Sequence, residues 1–280
     1  MINRVNILMS LSLVKINRYI NKMDFAHSAS EIKTLFDVLK DIVTDVNLVF
    51  KEDGVSIIAL DPEKIVAVSV HMVNIASYQF SRGDPIYIGV NMQHLYKLVR
   101  GVNTCHSIRM EINPDTPNVL KVIIYHPTNG VLSTTSLYSL DIPKEQPQLP
   151  EIEFNAVCQL PTSDFMRSIK DLSHGTKRVT LSASQEEPRH LIMASKGSTY
   201  VYTTSISICP STDGLEWAYF NIPKVQGSYV IKYIEKFAKP QLGKFLEIGF
   251  KSDGVINLSY SHLPIGAFNM TVAPIDDGSE

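Results

Sequence analysis

The sequence predicts an α+β protein in which antiparallel sheets carry a few helices on one face. Three observations predict it. Short apolar stretches of strand-forming residues follow one another along the chain, separated by turns. Only a few segments show helical spacing, each opening at a good capping residue. A proline-rich break lies at the middle of the chain, with similar halves on either side.

Residues 5–14 are mostly apolar after Arg4, but Asn6 and two serines interrupt them and no small-residue cleavage site follows. Residues 1–22 are therefore expected to be a poorly ordered extension, with Met23 a candidate start. Strands are expected at 46–50 and 55–60, around the Asp-Gly turn of Lys51-Glu52-Asp53-Gly54. Others follow at 65–71, 85–90, 107–112, 121–125 and 131–140. After the break come 154–160, 179–183, 191–194, 199–208, 216–222, 245–250, 255–260 and 267–272, with a second Asp-Gly turn at Lys251-Ser252-Asp253-Gly254. Helices are expected at 30–44, 92–99, 163–173 and 228–239. Their caps would be Ser30, Asn91, Ser163 and Ser228, with Gly227 turning the chain into the last.

Asp141 to Glu153 contains Pro143, Pro147 and Pro150, which forbid a regular helix or a central strand. It reads as the connector between two domains. The halves echo each other across it. Leu39-Lys40-Asp41-Ile42 recurs as Ile169-Lys170-Asp171-Leu172, and Lys97 with Arg100 recurs as Lys236 with Lys239.

Charge supplies the functional signal. The chain has 26 basic and 28 acidic residues, a net charge of -2. Yet each expected helix carries cations at helical spacing: Lys33 and Lys40, Lys97 and Arg100, Arg167 and Lys170, then Lys232, Lys236 and Lys239. An acidic protein that sorts cations onto a few helix faces presents a local polyanion surface. Any one pair alone is an ordinary solvated face, and Lys236 reads as well that way as the other.

Hydrophobic content of 44% and charged content of 19% describe a folded chain. The three cysteines are far apart, which excludes a disulfide framework or a zinc motif and fits a reducing compartment. No apolar run approaches a membrane span. Phosphate-loop, zincin, nucleophile-elbow and dinucleotide motifs are absent, so an enzyme is not expected, nor any metal or cofactor.

Several stretches resemble the proliferating cell nuclear antigen family of DNA sliding clamps. They are Asp164-Phe-Met-Arg-Ser-Ile-Lys-Asp-Leu-Ser-His174, Val225-Gln-Gly-Ser-Tyr-Val-Ile-Lys-Tyr-Ile234 and Gly89-Val90-Asn91-Met92. With them go Gly54-Val55 followed by Ala59-Leu60-Asp61 and Ile65, and Ala273-Pro274 before Asp276-Asp277. The resemblance covers about residues 24–280. It implies a DNA-clamp fold of two similar domains, sheets outside and helices inside, and a head-to-tail homotrimeric ring. The division would be an N-terminal domain at 23–140, the connector at 141–153, a C-terminal domain at 154–275 and an acidic tail at 276–280.

The resemblance further implies a processivity factor that encircles double-stranded DNA without reading its sequence. Lys33, Lys40, Lys97, Arg100, Arg167, Lys170, Lys232 and Lys239 are the implied phosphate contacts, with Lys177 and Arg178 weaker candidates. A hydrophobic pocket would hold peptides of DNA polymerase, the clamp loader and other proteins with a clamp-binding motif. It would comprise Leu60, Ile65, Leu149, Pro150, Ala273, Pro274 and Ile275, with Asp61 and Lys64 at its rim. Thr271 stands where the family usually has an aromatic ring and Gly254 where it usually has proline, so a shallower pocket is expected. Ring closure would pair Val131–Tyr138 with 199–207 of the next subunit. The implied location is the nucleus or, for a virus-encoded clamp, the site of viral DNA replication. The alternative is a drifted relative, acting in a heterotrimeric damage-checkpoint ring or as a clamp-like transcription factor. Loss of the basic residues would favour it, and they are retained.

Overall fold

The computed structural model describes residues 21–24, 29–73, 75, 78–80, 83–127, 130–149, 152–174, 176–185, 190–197, 201–207 and 216–275. Residues 1–20, Pro150, 199–200, Cys209 and the acidic tail, on which several expectations fell, lie outside them. The first half runs β1 (Asn21–Asp24), α1 (Ala29–Leu39), β2 (Asp45–Lys51), β3 (Gly54–Leu60), β4 (Val66–Met72), β5 (Ile86–Asn91), α2 (Met92–Val99), β6 (Ser107–Asn113), β7 (Thr116–His126) and β8 (Val131–Tyr138). The second runs β9 (Ala156–Pro161), α3 (Thr162–Ser173), β10 (Arg178–Ser184), β11 (His190–Lys196), β12 (Val201–Ser207), β13 (Glu216–Phe220), β14 (Lys224–Val230), α4 (Ile231–Phe237), β15 (Phe245–Phe250), β16 (Ile256–Leu263) and β17 (Gly266–Val272).

This is the two-domain clamp fold, with every pairing between these strands antiparallel. Each half has its own four-stranded sheet, ordered β1-β6-β7-β8 and β12-β11-β10-β14. A third sheet of nine strands, β13-β9-β15-β16-β17-β4-β3-β2-β5, crosses from one half to the other. The crossing is the β17–β4 ladder, which runs from Gly266↔Met72 to Val272↔Val66. The strands alternate as half-buried strands should: Val66, Val68, Val70 and Met72 are buried while the residues between them are not.

The helices cover the buried faces. α1 buries Ala29, Ile32, Leu35, Phe36, Val38 and Leu39. Under α4, Phe237 meets the rings of Tyr260 and Phe268 at centroid distances of 5.2 and 4.6 Å. Both Asp-Gly turns close hairpins. Gly54 has φ 136, and a Cβ there would lie 2.1 Å from the Met72 carbonyl oxygen, so no other residue fits.

Several expected boundaries are corrected. Residues 21 and 22 belong to β1, which pairs with β6, and not to an extension. α1 ends at Leu39, short of 44, because Ile42, Val43 and Thr44 are β-branched and lead into β2. Ser30 lies inside α1, and its carbonyl accepts the Thr34 hydroxyl. α3 starts at Thr162, ahead of Ser163. The Thr162 amide donates to the Lys244 carbonyl at 2.9 Å, which satisfies one first-turn amide without a side-chain cap, and its hydroxyl donates to the Gly243 carbonyl at 2.7 Å. The largest correction concerns 228–230. These residues extend β14, an unexpected strand that pairs with β10, and Ser228 sits opposite Thr180. Gly227 therefore lies within a strand, and α4 begins only at Ile231. Asn91 caps α2 as expected, its side chain accepting from the His94 amide. The connector carries no helix or strand among its described residues. It is tied down by Asn47 Nδ2 donating to the Pro143 carbonyl at 2.8 Å.

Candidate nucleic-acid interface and peptide cleft

The four helices pair within each half of the molecule. α1 packs on α2 and α3 on α4. Just beyond α1, Lys40 lies 4.8 Å from the centroid of the Tyr96 ring on α2. The next residue, Asp41, pairs with Lys236 of α4 at 3.2 Å, an ion pair that links the two halves beside their helices. The expected phosphate contacts on and beside these helices stand in different electrostatic states.

Three of the cations are committed to the protein. The Lys33 ammonium donates to the Val102 carbonyl at 3.1 Å. Lys40 is held between Asp37 and Asp41, each at 3.0 Å, with its side chain 19% exposed. Burial alone would lower the Lys40 pKa, but the hydrogen bonds to Asp41 and Asp37 outweigh it and hold it above its ordinary value. Burial alone would likewise raise the Asp41 carboxyl, yet hydrogen bonds from Lys40 and Lys236 hold it below the usual range. Lys236 is the third. Two more have exposed partners: Arg167 with Asp164 at 2.7 Å, and Lys232 with Glu63 at 3.5 Å. Lys97, Arg100, Lys170 and Lys239 have no ion pair among the described residues; the first three are exposed and Lys239 is half-buried. Lys177 is exposed too. The helices and their ends can therefore offer four uncompensated cations to a polyanion, and a further two at the cost of weak surface pairs.

A cleft of about 420 Å³ opens where β4 and β17 join the two halves. Leu60, Ile65, Leu149 and Ala273 line it, brought together from β3, the β3–β4 loop, the connector and the segment after β17. The Ala273 amide donates to the Ile65 carbonyl at 2.9 Å, which fixes two of the walls to each other. Lys64 and Thr271 line it as well. Thr271 stands opposite Ala67 in the β17–β4 register, and these small side chains leave the floor open.

The rest of the expected pocket is placed differently. Asp61 is 2% exposed and lies inside the loop, not at the rim. Its carboxylate accepts from the Ile65 and Val66 amides at 2.8 and 2.7 Å and from the Tyr233 hydroxyl at 2.7 Å. Pro274 packs against Gly254, which turns the β15–β16 hairpin with φ 85. The wall beside that turn is Val255. Ile275 donates its amide to the Ser228 carbonyl and is not among the lining residues. Pro147, Gln148, Ile152, Ala67 and Lys251 line the cleft without having been expected there. Ala67 was within reach of the sequence, two residues beyond Ile65 on the same face of a strand.

The family model described as proliferating cell nuclear antigen, N-terminal domain, matches residues 23–146. The chain is also 25% identical over 249 residues to the probable DNA polymerase sliding clamp 1 of Paramecium bursaria Chlorella virus 1, a match covering 87% of this chain and 93% of that one. The chain is thus similar to the proliferating cell nuclear antigen family of DNA sliding clamps. It is 28% identical over 159 residues to the proliferating cell nuclear antigen of Chaetomium thermophilum, covering 56% of this chain and 61% of the relative. Over 222 residues it is 20% identical to that of Dictyostelium discoideum, covering 75% and 82%.

The two strands expected to close a ring are both sheet edges among the described residues. Among the described residues, β8 pairs only with β7, and β12 only with β11. Apolar side chains are exposed on or beside both: Tyr138 at 75% and Leu140 on one, Val201 at 68% and Tyr202 on the other. Unpaired edges with exposed apolar residues are a liability unless another strand covers them.

Proposed function

We propose that the protein is a DNA sliding clamp: a non-enzymatic processivity factor that encircles duplex DNA and tethers replication and repair proteins. The observation that carries this reading is that Lys97, Arg100, Lys170 and Lys239, spread over the helices of both halves and their ends, lack counter-ions among the described residues. Such cations suit contacts to the phosphate backbone, which are blind to sequence and exchange readily as a ring slides. The similarity to a probable DNA polymerase sliding clamp supports the same reading.

On this reading the domains are 23–140 and 154–275, joined by the connector at 141–153. Three chains close a ring by pairing β8 of one with β12 of the next, so that helices line the hole and sheets face outward. The cleft takes a short peptide with one aliphatic and two aromatic anchors, from DNA polymerase, the clamp loader and other proteins bearing such a motif. The ring works in the nucleus or, for a virus-encoded clamp, at the site of viral DNA replication.

Light scattering on the purified chain at micromolar concentration and low salt tests the assembly. The expected mass is three times the 31.3 kDa of one chain. A monodisperse monomer would overturn the self-closing ring and favour the drifted, heterotrimeric alternative.

A further inference from the structure

The cleft has an electrostatic feature that apolar anchors alone do not use. Two lysines line it, Lys64 and Lys251. Lys251 is neutralised by Asp253 at 2.6 Å. Lys64 is exposed and has no ion pair among the described residues. The acids near it in sequence are turned elsewhere. Glu63 reaches Lys232, and buried Asp61 spends its carboxylate on the Ile65 and Val66 amides and the Tyr233 hydroxyl.

The backbone also marks this residue. Lys64 has φ 59, the one non-glycine in the left-handed region among the described residues. Its amide donates to the Asp61 carbonyl at 3.0 Å. Strained residues persist where surrounding bonds over-determine them, and they cluster at ligand sites. Here the over-determination is visible, since the Asp61 side chain gathers the amides on the far side of Lys64 and Tyr233 anchors Asp61 to α4.

Resting on the reading of the cleft as a peptide site, we propose that Lys64 is a specificity-determining residue that selects peptides carrying a carboxylate beside their apolar anchors. The Asp61-centred loop fixes the backbone that carries Lys64 beside the cleft, so the cation is presented there before a peptide arrives. The partners selected in this way are acidic-flanked motifs, and basic-flanked ones are disfavoured by charge repulsion.

The test is calorimetry with three synthetic peptides that share one aliphatic and two aromatic anchors and differ only in flanking Asp, Asn or Lys. The wild type should bind the Asp peptide roughly two- to fivefold more tightly than the Asn peptide, the range of an exposed ion pair, and the Lys peptide more weakly still. The preference should shrink at high salt. Lys64→Glu should invert the order, and Lys64→Gln should flatten it. An order unchanged by Lys64→Glu overturns the proposal while leaving the peptide site intact. Leu149→Ala separates the two claims: it should weaken all three peptides alike. If it weakens none, or if no peptide binds the wild type, the cleft reading falls and the proposal falls with it.

Discussion

Lys40 and Lys170 stand in matching words of the sequence, Leu39-Lys40-Asp41-Ile42 and Ile169-Lys170-Asp171-Leu172, yet they are different residues in the fold. Lys170 lies within α3, exposed, with no ion pair among the described residues. Lys40 lies past the end of α1, clamped by Asp37 and Asp41. The echo is out of step. Leu39 is the last residue of α1, whereas α3 continues through Leu172 to Ser173. The other echo is in step: Lys97 and Lys236 are each five residues past the first helical residue, Met92 or Ile231. Even there the outcome differs, because Asp41 takes Lys236 and no described acid takes Lys97. Repeated sequence therefore repeats position at best. What makes a cation available to a ligand is the absence of a counter-charge, and tertiary neighbours decide that.

The comparison can be broken most severely at an acid given wholly to the fold. Asp61→Ala would leave the Ile65 and Val66 amides and the Tyr233 hydroxyl without their acceptor in a buried site, at a cost of about 3 kcal/mol. Thermal or urea unfolding should show it. A loss of a few tenths would mean that Asp61 does not hold the loop.

Asp41 tests the commitment of two lysines at once. Asp41→Asn should cost about 1 kcal/mol of stability, since the pairs are partly exposed, and should free Lys236 to steepen the salt dependence of DNA binding, while Asp37 still holds Lys40. The pH dependence follows from its depressed pKa. Such a group lends stability above its unfolded value, near 3.8, and loses it as the pH falls through the folded one. The gap between wild type and Asp41→Asn should be full above about pH 4 and close in more acid solution. A gap that stays constant into acid would contradict the pairing.

The smallest effects divide the two lysines that opened the comparison. Lys40→Ala should lower stability by a few tenths of a kcal/mol and leave the salt slope of DNA binding alone. Lys170→Ala should do the reverse, flattening the slope with no change in unfolding. Equal effects of the two on DNA would erase the distinction.

Much of this architecture was legible in local residues. Gly54 and Gly254 announced both hairpins, Asn91 announced α2, and the prolines of 141–153 announced the connector. Leu60, Ile65, Leu149 and Ala273 followed from the family resemblance and come together in one cleft. What failed to show was tertiary. β14 hid because Gln226, Gly227 and Ser228 interrupt its apolar pattern, and only Val225 and Tyr229 are buried. Asp61 looked like a rim acid because nothing in the sequence says which amides will converge on it. Val255 was overlooked because the turn residue beside it, Gly254, drew the wall assignment.

The central claim is that four uncompensated cations hold DNA within the ring. Processive synthesis by the cognate polymerase on a long primed template, measured with Lys97, Arg100, Lys170 and Lys239 all changed to Ala, tests it most directly. The account predicts that stimulation falls sharply and becomes less sensitive to salt, while light scattering still reports the assembly formed by the wild type. Full processivity in the quadruple variant would contradict it.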